Sequence, residues 1–150
     1  MKKPLITLIA FLAINFTFSQ DAESEASTPE ITIGKISNHY KYIELTRQTV
    51  DEENLYTLKY QNLEFPQMTD LAFVKFSATD EELDYLYNEI LKGSKMKKTD
   101  PVNYISLGDG KMGITRLASG QVRILYTENG STIVKWTWMS KGQLRKFFGK

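Results

Sequence analysis

The 150-residue chain has no cysteine and a single histidine, His39. The first absence removes disulfides, thiol catalysis and thiolate-bound metals together. The second removes zinc sites built from two or three imidazoles. A serine nucleophile would have to use His39, and no G-x-S-x-G segment accompanies it. Beside Tyr40, His39 reads as a partly exposed surface residue. Apolar runs are scarce too: beyond the first twenty residues none is long enough to cross a bilayer. Charge of one sign is not in excess either, with a formal net of +1. That near-neutrality argues against nucleic acid as a partner.

What is present begins with a leader. Met1-Lys2-Lys3 is followed by an apolar run from Leu5 to Phe18, closing with Thr17-Phe18-Ser19. This order of a positive start, an apolar middle and small residues before a cut is that of a secretory signal peptide over residues 1–19. It resembles those of bacterial exported proteins and implies a periplasmic or secreted product. No Cys follows the run, which excludes a lipoprotein anchor. Gln20 to Glu30 is small and acidic with no large apolar side chain, which predicts a disordered leader. Residues 31–150 are expected to fold as one domain on their core alone. Eight Tyr, eight Phe and two Trp supply the bulk for it.

The neutral total hides an asymmetry. From Gln20 to Leu91 there are 5 basic against 15 acidic residues; from Lys92 to Lys150 there are 12 against 3. An acidic half is joined to a basic half.

The expected fold is α+β. Tyr40–Arg47 and Leu55–Leu63 read as a hairpin around a charged turn, and Leu71–Phe76 as a buried strand. A helix over about 80–92 is predicted by a Thr79/Glu82 capping box and an apolar stripe of Leu83, Leu86, Tyr87, Ile90 and Leu91. Gly93 would end it in the left-handed conformation. Asp109-Gly110, Ser119-Gly120 and Asn129-Gly130 divide the next segment into four runs, Val102–Leu107, Lys111–Ala118, Gln121–Glu128 and Ser131–Met139. That pattern predicts a four-stranded antiparallel meander with two-residue turns. Ser140 and Gln143 cap a short C-terminal helix over about 141–148. Strands segregated around two helices make an α+β domain.

Several patterns invite a function. Gly108-Asp-Gly110-Lys-Met-Gly113 matches G-x-G-x-x-G, but a strand follows where a phosphate loop requires a helix, so it reads as a hairpin. Asp80, Glu81, Glu82 and Asp84 suit the positive end of a helix dipole and lack calcium-loop spacing. Neither a metal nor a cofactor is expected. Trp136 and Trp138 share one strand face. Buried, they would pack beneath a helix beside Leu144 and Phe147, as large aromatics usually do; exposed, they would form a stacking platform. Lys92, Lys95, Lys97 and Lys98 crowd one helix end, and Lys141, Arg145, Lys146 and Lys150 the C-terminal segment. Within these, Lys97, Lys98, Arg145 and Lys146 are candidate contacts for an anionic envelope component or an acidic protein. The bland reading is that they solvate their own surface.

The expectation is an exported, non-catalytic binding or interaction domain. Its rivals are a carboxylate-dependent hydrolase of envelope glycans, which would need only a pair of acids, and a binder of anionic envelope surfaces.

Overall fold

Alternation of apolar and polar residues with a period of two builds eight strands, and a computed structural model describes them over residues 28–64 and 70–150. The first four, β1 (Ile31–Asn38), β2 (Lys41–Val50), β3 (Glu53–Gln61) and β4 (Leu71–Ser77), form one antiparallel sheet in chain order. Helix α1 (Asp80–Gly93) follows. Strands β5 (Asn103–Leu107), β6 (Gly110–Arg116), β7 (Val122–Glu128) and β8 (Lys135–Met139) form the second sheet, again in chain order, and α2 (Lys141–Phe147) closes the chain. The α+β class and the C-terminal meander follow the sequence pattern. The first half is itself a separate four-stranded meander. Among the described residues no helix is long and apolar enough to cross a membrane.

The two sheets share one buried cluster. Ile43, Leu45, Tyr56, Leu58, Tyr60 and Val74 of the first meet Met112, Ile114, Val122, Ile124 and Met139 of the second, with Leu86 and Ile90 of α1 and Leu144 and Phe147 of α2 filling the rest. Both helices carry their expected capping boxes, Thr79 with Glu82 and Ser140 with Gln143. Each box satisfies two backbone N–H groups that the first turn leaves free.

Three local expectations are corrected. Gly93 does not adopt the left-handed conformation; it lies inside the last turn, and Ser94 caps the helix at φ −68°. Glycine is needed there because a Cβ would come within 2.5 Å of Ile114 Cγ2, so its role is close helix–sheet approach. The β5–β6 turn is Gly108-Asp109, since Gly110 already pairs with Leu107 and Glu128. The β7–β8 connection is a six-residue loop over 129–134, because Ser131–Val134 does not join the sheet. The signal peptide expected at 1–19 lies outside the described residues, as does most of the leader expected at 20–30. Residues 28–30 of that leader are tied to β2, where the Thr49 N–H donates to Thr28 Oγ1 at 3.1 Å and the Thr46 hydroxyl donates to Glu30.

One core residue sits against the chemistry of its surroundings. Thr137 is 1% exposed and its hydroxyl has no hydrogen-bond partner among the described residues. Replacing it with valine keeps the shape and removes an unsatisfied polar group. Thr137→Val is expected to raise stability by about 1 kcal/mol, read as a higher urea midpoint at unchanged slope.

Candidate functional site

Strand β8 reads Lys-Trp-Thr-Trp-Met, and its inward positions are Thr137 and Met139, each 1% exposed. The period of two therefore turns Trp136 and Trp138 outward, where both are half-buried. The expected packing of the indoles beside Leu144 and Phe147 does not occur. Met139 takes the inner position, Phe147 packs edge-on to Phe148, and Phe148 lies against Tyr87 of α1.

Cross-strand register assembles the rest of this outer face. Trp136 pairs with Leu125, Leu125 with Gly113 and Gly113 with Tyr104, a row running across all four strands of the second sheet. Beside it, Trp138 pairs with Arg123 and Arg123 with Thr115. On the other side lie Ser106, Lys111 and Thr127. A side chain at Gly113 would meet Tyr104 Cε1 and Val102 Cγ1 at 2.9 Å and Leu125 Cδ1 at 3.2 Å. The missing side chain is what lets the Tyr104 ring lie over β6 while remaining 60% exposed. Three strand spacings make the row about 14 Å long.

Cations stack on both indoles. The Arg123 guanidinium carbon is 4.5 Å from the Trp136 ring centre, and Lys41 Nζ is 3.6 Å from that of Trp138. Such contacts are worth about 0.5–2 kcal/mol and orient the rings. Trp136 Nε1 donates to Glu64 Oε2 at 2.7 Å. Arg123 has no ion pair among the described residues, and its Nε is buried without an acceptor.

The outer edge of β8 is closed by the segment that follows β3 and by Lys41 of β2. The Leu63 N–H donates to Trp136 O at 2.9 Å, and the Trp136 N–H donates to Asn62 Oδ1 at 3.2 Å. Asn62 also donates to Asp70, and Lys135 pairs with Asp70 at 3.1 Å. The Asn62 amide and the Lys135 ammonium hold the Asp70 carboxyl below its ordinary value. Lys41 is 2% exposed and donates to Trp138 O at 2.9 Å and Gln143 Oε1 at 3.1 Å. Burial pushes this ammonium down to about 8.

The basic candidates lie elsewhere. Lys97 and Lys98 are exposed in the loop after α1, where the Lys97 N–H donates to Asp100. Arg145 and Lys146 are exposed on α2. The C-terminal segment reaches α1 near the middle of that helix, through Phe148 on Tyr87 and Lys150 on Asp84, well before the Lys97–Lys98 loop. His39 is exposed in the β1–β2 turn, edge-on to Tyr40. The glycine motif falls on the β5–β6 hairpin.

Two hollows are lined by other residues. One of about 350 Å³ is acidic, between the β2–β3 turn and the start of α1, with Glu52, Glu53, Asp80 and Glu82 in its wall. Glu82 there caps α1, and Asp80 accepts from the Tyr56 hydroxyl at 3.4 Å. Another of about 540 Å³ lies between Phe73 and Lys75 on one side and Asp109, Tyr126 and Glu128 on the other. No protein-family model, curated protein or solved structure matches this chain.

Proposed function

We propose that this chain is a non-catalytic binding domain whose ligand lies on the outer face of the β5–β8 sheet. One observation carries the reading. The only two tryptophans of the chain stand on the solvent side of a sheet whose inner side is already filled. Apolar burial drives such rings inward at about 25 cal/mol per Å². Here they are held outward instead, Trp136 in line with Leu125 and Tyr104 and Trp138 beside Arg123, each ring with a cation over it. A row of amphipathic rings on a rigid sheet offers contact area at little entropic cost to the protein, which is how stacking sites gain affinity.

Because both tryptophans lie on this face, intrinsic tryptophan emission reports on it alone. Titration with a panel of oligosaccharides and peptides is expected to find a ligand that shifts that emission. Trp136→Ala should then weaken binding about tenfold or more. Reversing Lys97, Lys98, Arg145 and Lys146 to Glu should leave it unchanged. Loss of binding on that reversal with the indoles silent would move the site to the basic surface. Turnover of a glycan that disappears with Glu53→Gln or Asp80→Asn would move the function to the acidic hollow.

A further inference from the structure

We propose that the ligand of this face is an acidic polysaccharide, its sugar rings stacked along Tyr104, Leu125 and Trp136 and a carboxylate of the chain held by Arg123. The inference rests on the sheet-face reading above and adds the chemical class of what binds there.

Arg123 makes the charge argument. A guanidinium drawn down onto an indole loses part of its hydration, and a desolvated charge calls for a partner of opposite sign. Among the described residues no carboxylate pairs with Arg123: Glu64, beside the same indole, accepts from Trp136 Nε1. The planar fork of Arg matches a carboxylate in two parallel hydrogen bonds, so a ligand anion supplies what the fold leaves out. Lys111, exposed on the far side of the apolar row, adds a second positive group flanking it.

The shape of the face beside the indoles favours a glycan over a peptide strand. Extended peptides add to a sheet through a free edge. The edge of β8 nearest the indoles is already engaged, because Leu63 and Asn62 take the C=O and N–H of Trp136 and Lys41 takes the C=O of Trp138. On the β8 side, where the indoles stand, the flat face is what a ligand can reach: aromatic rings for the C–H faces of sugars, with Thr115, Thr127 and Ser106 hydroxyls around them.

The test compares oligogalacturonate with the same oligomer after chemical reduction of its carboxyl groups to alcohols, which changes the charge and keeps the rings. Oligomers of other uronates complete the panel, and poly-glutamate represents an acidic polypeptide. Tryptophan emission and calorimetry are the readouts. At least one oligouronate is expected to bind about tenfold tighter than its reduced form. That advantage should shrink as salt rises above physiological strength, where screening acts over about 8 Å. Arg123→Gln should bring the acidic and reduced oligomers to one affinity, since any loss from freeing the Trp136 ring falls on both alike. Arg123→Lys, which keeps the charge and loses the fork, should fall between. Equal binding of acidic and reduced oligomers, with the indoles responding, would overturn the anion and leave the sheet-face site standing. Poly-glutamate binding as tightly as the oligouronates, with the same Arg123 dependence, would overturn the sugar. Silence of the indoles across every uronate overturns the inference by itself, and the broader panel of oligosaccharides and peptides then judges the site.

Discussion

Gly34→Ala is expected to lower the thermal midpoint by more than about 10 °C and to loosen the C-terminal helix from the sheet. A Cβ at Gly34 would lie 2.1 Å from the carbonyl oxygen of Phe147 and 2.6 Å from its carbonyl carbon and Cα. These are backbone atoms, so no rotamer change can relieve the contact. One extra residue in β1 between Thr32 and Gly34 bends the strand where α2 docks. Added bulk must therefore push α2 away, and with it Leu144 and Phe147, which are 0% and 1% exposed. Overpacking of this kind costs about 1–3 kcal/mol when side chains can adjust, and the upper end applies here. Limited trypsin digestion should cut faster at Arg145 and Lys146 in the variant. Gly142→Ala in the same helix is the control, since nothing lies within 4 Å of its added methyl. It should be neutral or stabilising by up to about 1 kcal/mol. An unchanged midpoint for Gly34→Ala would show that α2 does not seat on β1 as described.

Stability should rise by about 2 kcal/mol between pH 8 and pH 10 and fall again above that. Burial lowers Lys41 to about 8 from an ordinary 10.5, so between those values the unfolded chain holds a proton that the folded chain has released. Stability then increases with pH through that window, while below it the folded state carries a constant cost. Tyrosines reverse the trend. Burial holds the Tyr60 hydroxyl above its usual range, and the Glu44 carboxylate pushes Tyr42 up to about 12. Above pH 10 the unfolded chain ionises these groups first, so the folded state loses ground. Denaturant titrations across pH 7–11 measure the curve. Lys41→Met should flatten its rising limb and leave the falling limb in place. A rising limb that survives in Lys41→Met would mean that another group carries it.

Much of this was legible in the residues. Thr79 and Ser140 with their partners three positions on fixed both helix starts, because a cap is local chemistry. The alternation of β7 was informative about the site as well. Val122, Ile124 and Tyr126 against Arg123 and Thr127 mark its inner side. Any hairpin loop with an even number of residues carries that parity to β8 and sets Trp136 and Trp138 on the side of Arg123. The general habit of large aromatics to fill cores pointed the other way, and register outweighs it here. The loop of six residues over 129–134 instead of a two-residue turn shifts the pairing by two positions, so the parity holds. Tyr104 and Gly113 were not legible as site residues, since only register across three strands brings them into line with Trp136. Asn62 was equally silent: its role depends on contacts to Asp70 and Trp136, far along the chain. The strong charge asymmetry of the two halves points to Lys97, Lys98, Arg145 and Lys146, yet the fold places them on the loop after α1 and on α2, not on the strands that carry the aromatic row.

The two indole N–H resonances offer the sharpest view of the outward sheet face, one from Trp138 and one from Trp136 in its hydrogen bond to Glu64. In a nitrogen–proton correlation spectrum recorded during ligand titration, both should move, together with the amides of Tyr104, Gly113, Arg123 and Leu125. Saturable binding that leaves both indole signals in place, with its shifts gathered around Glu53 and Asp80 or around Lys97 and Arg145, would contradict the account.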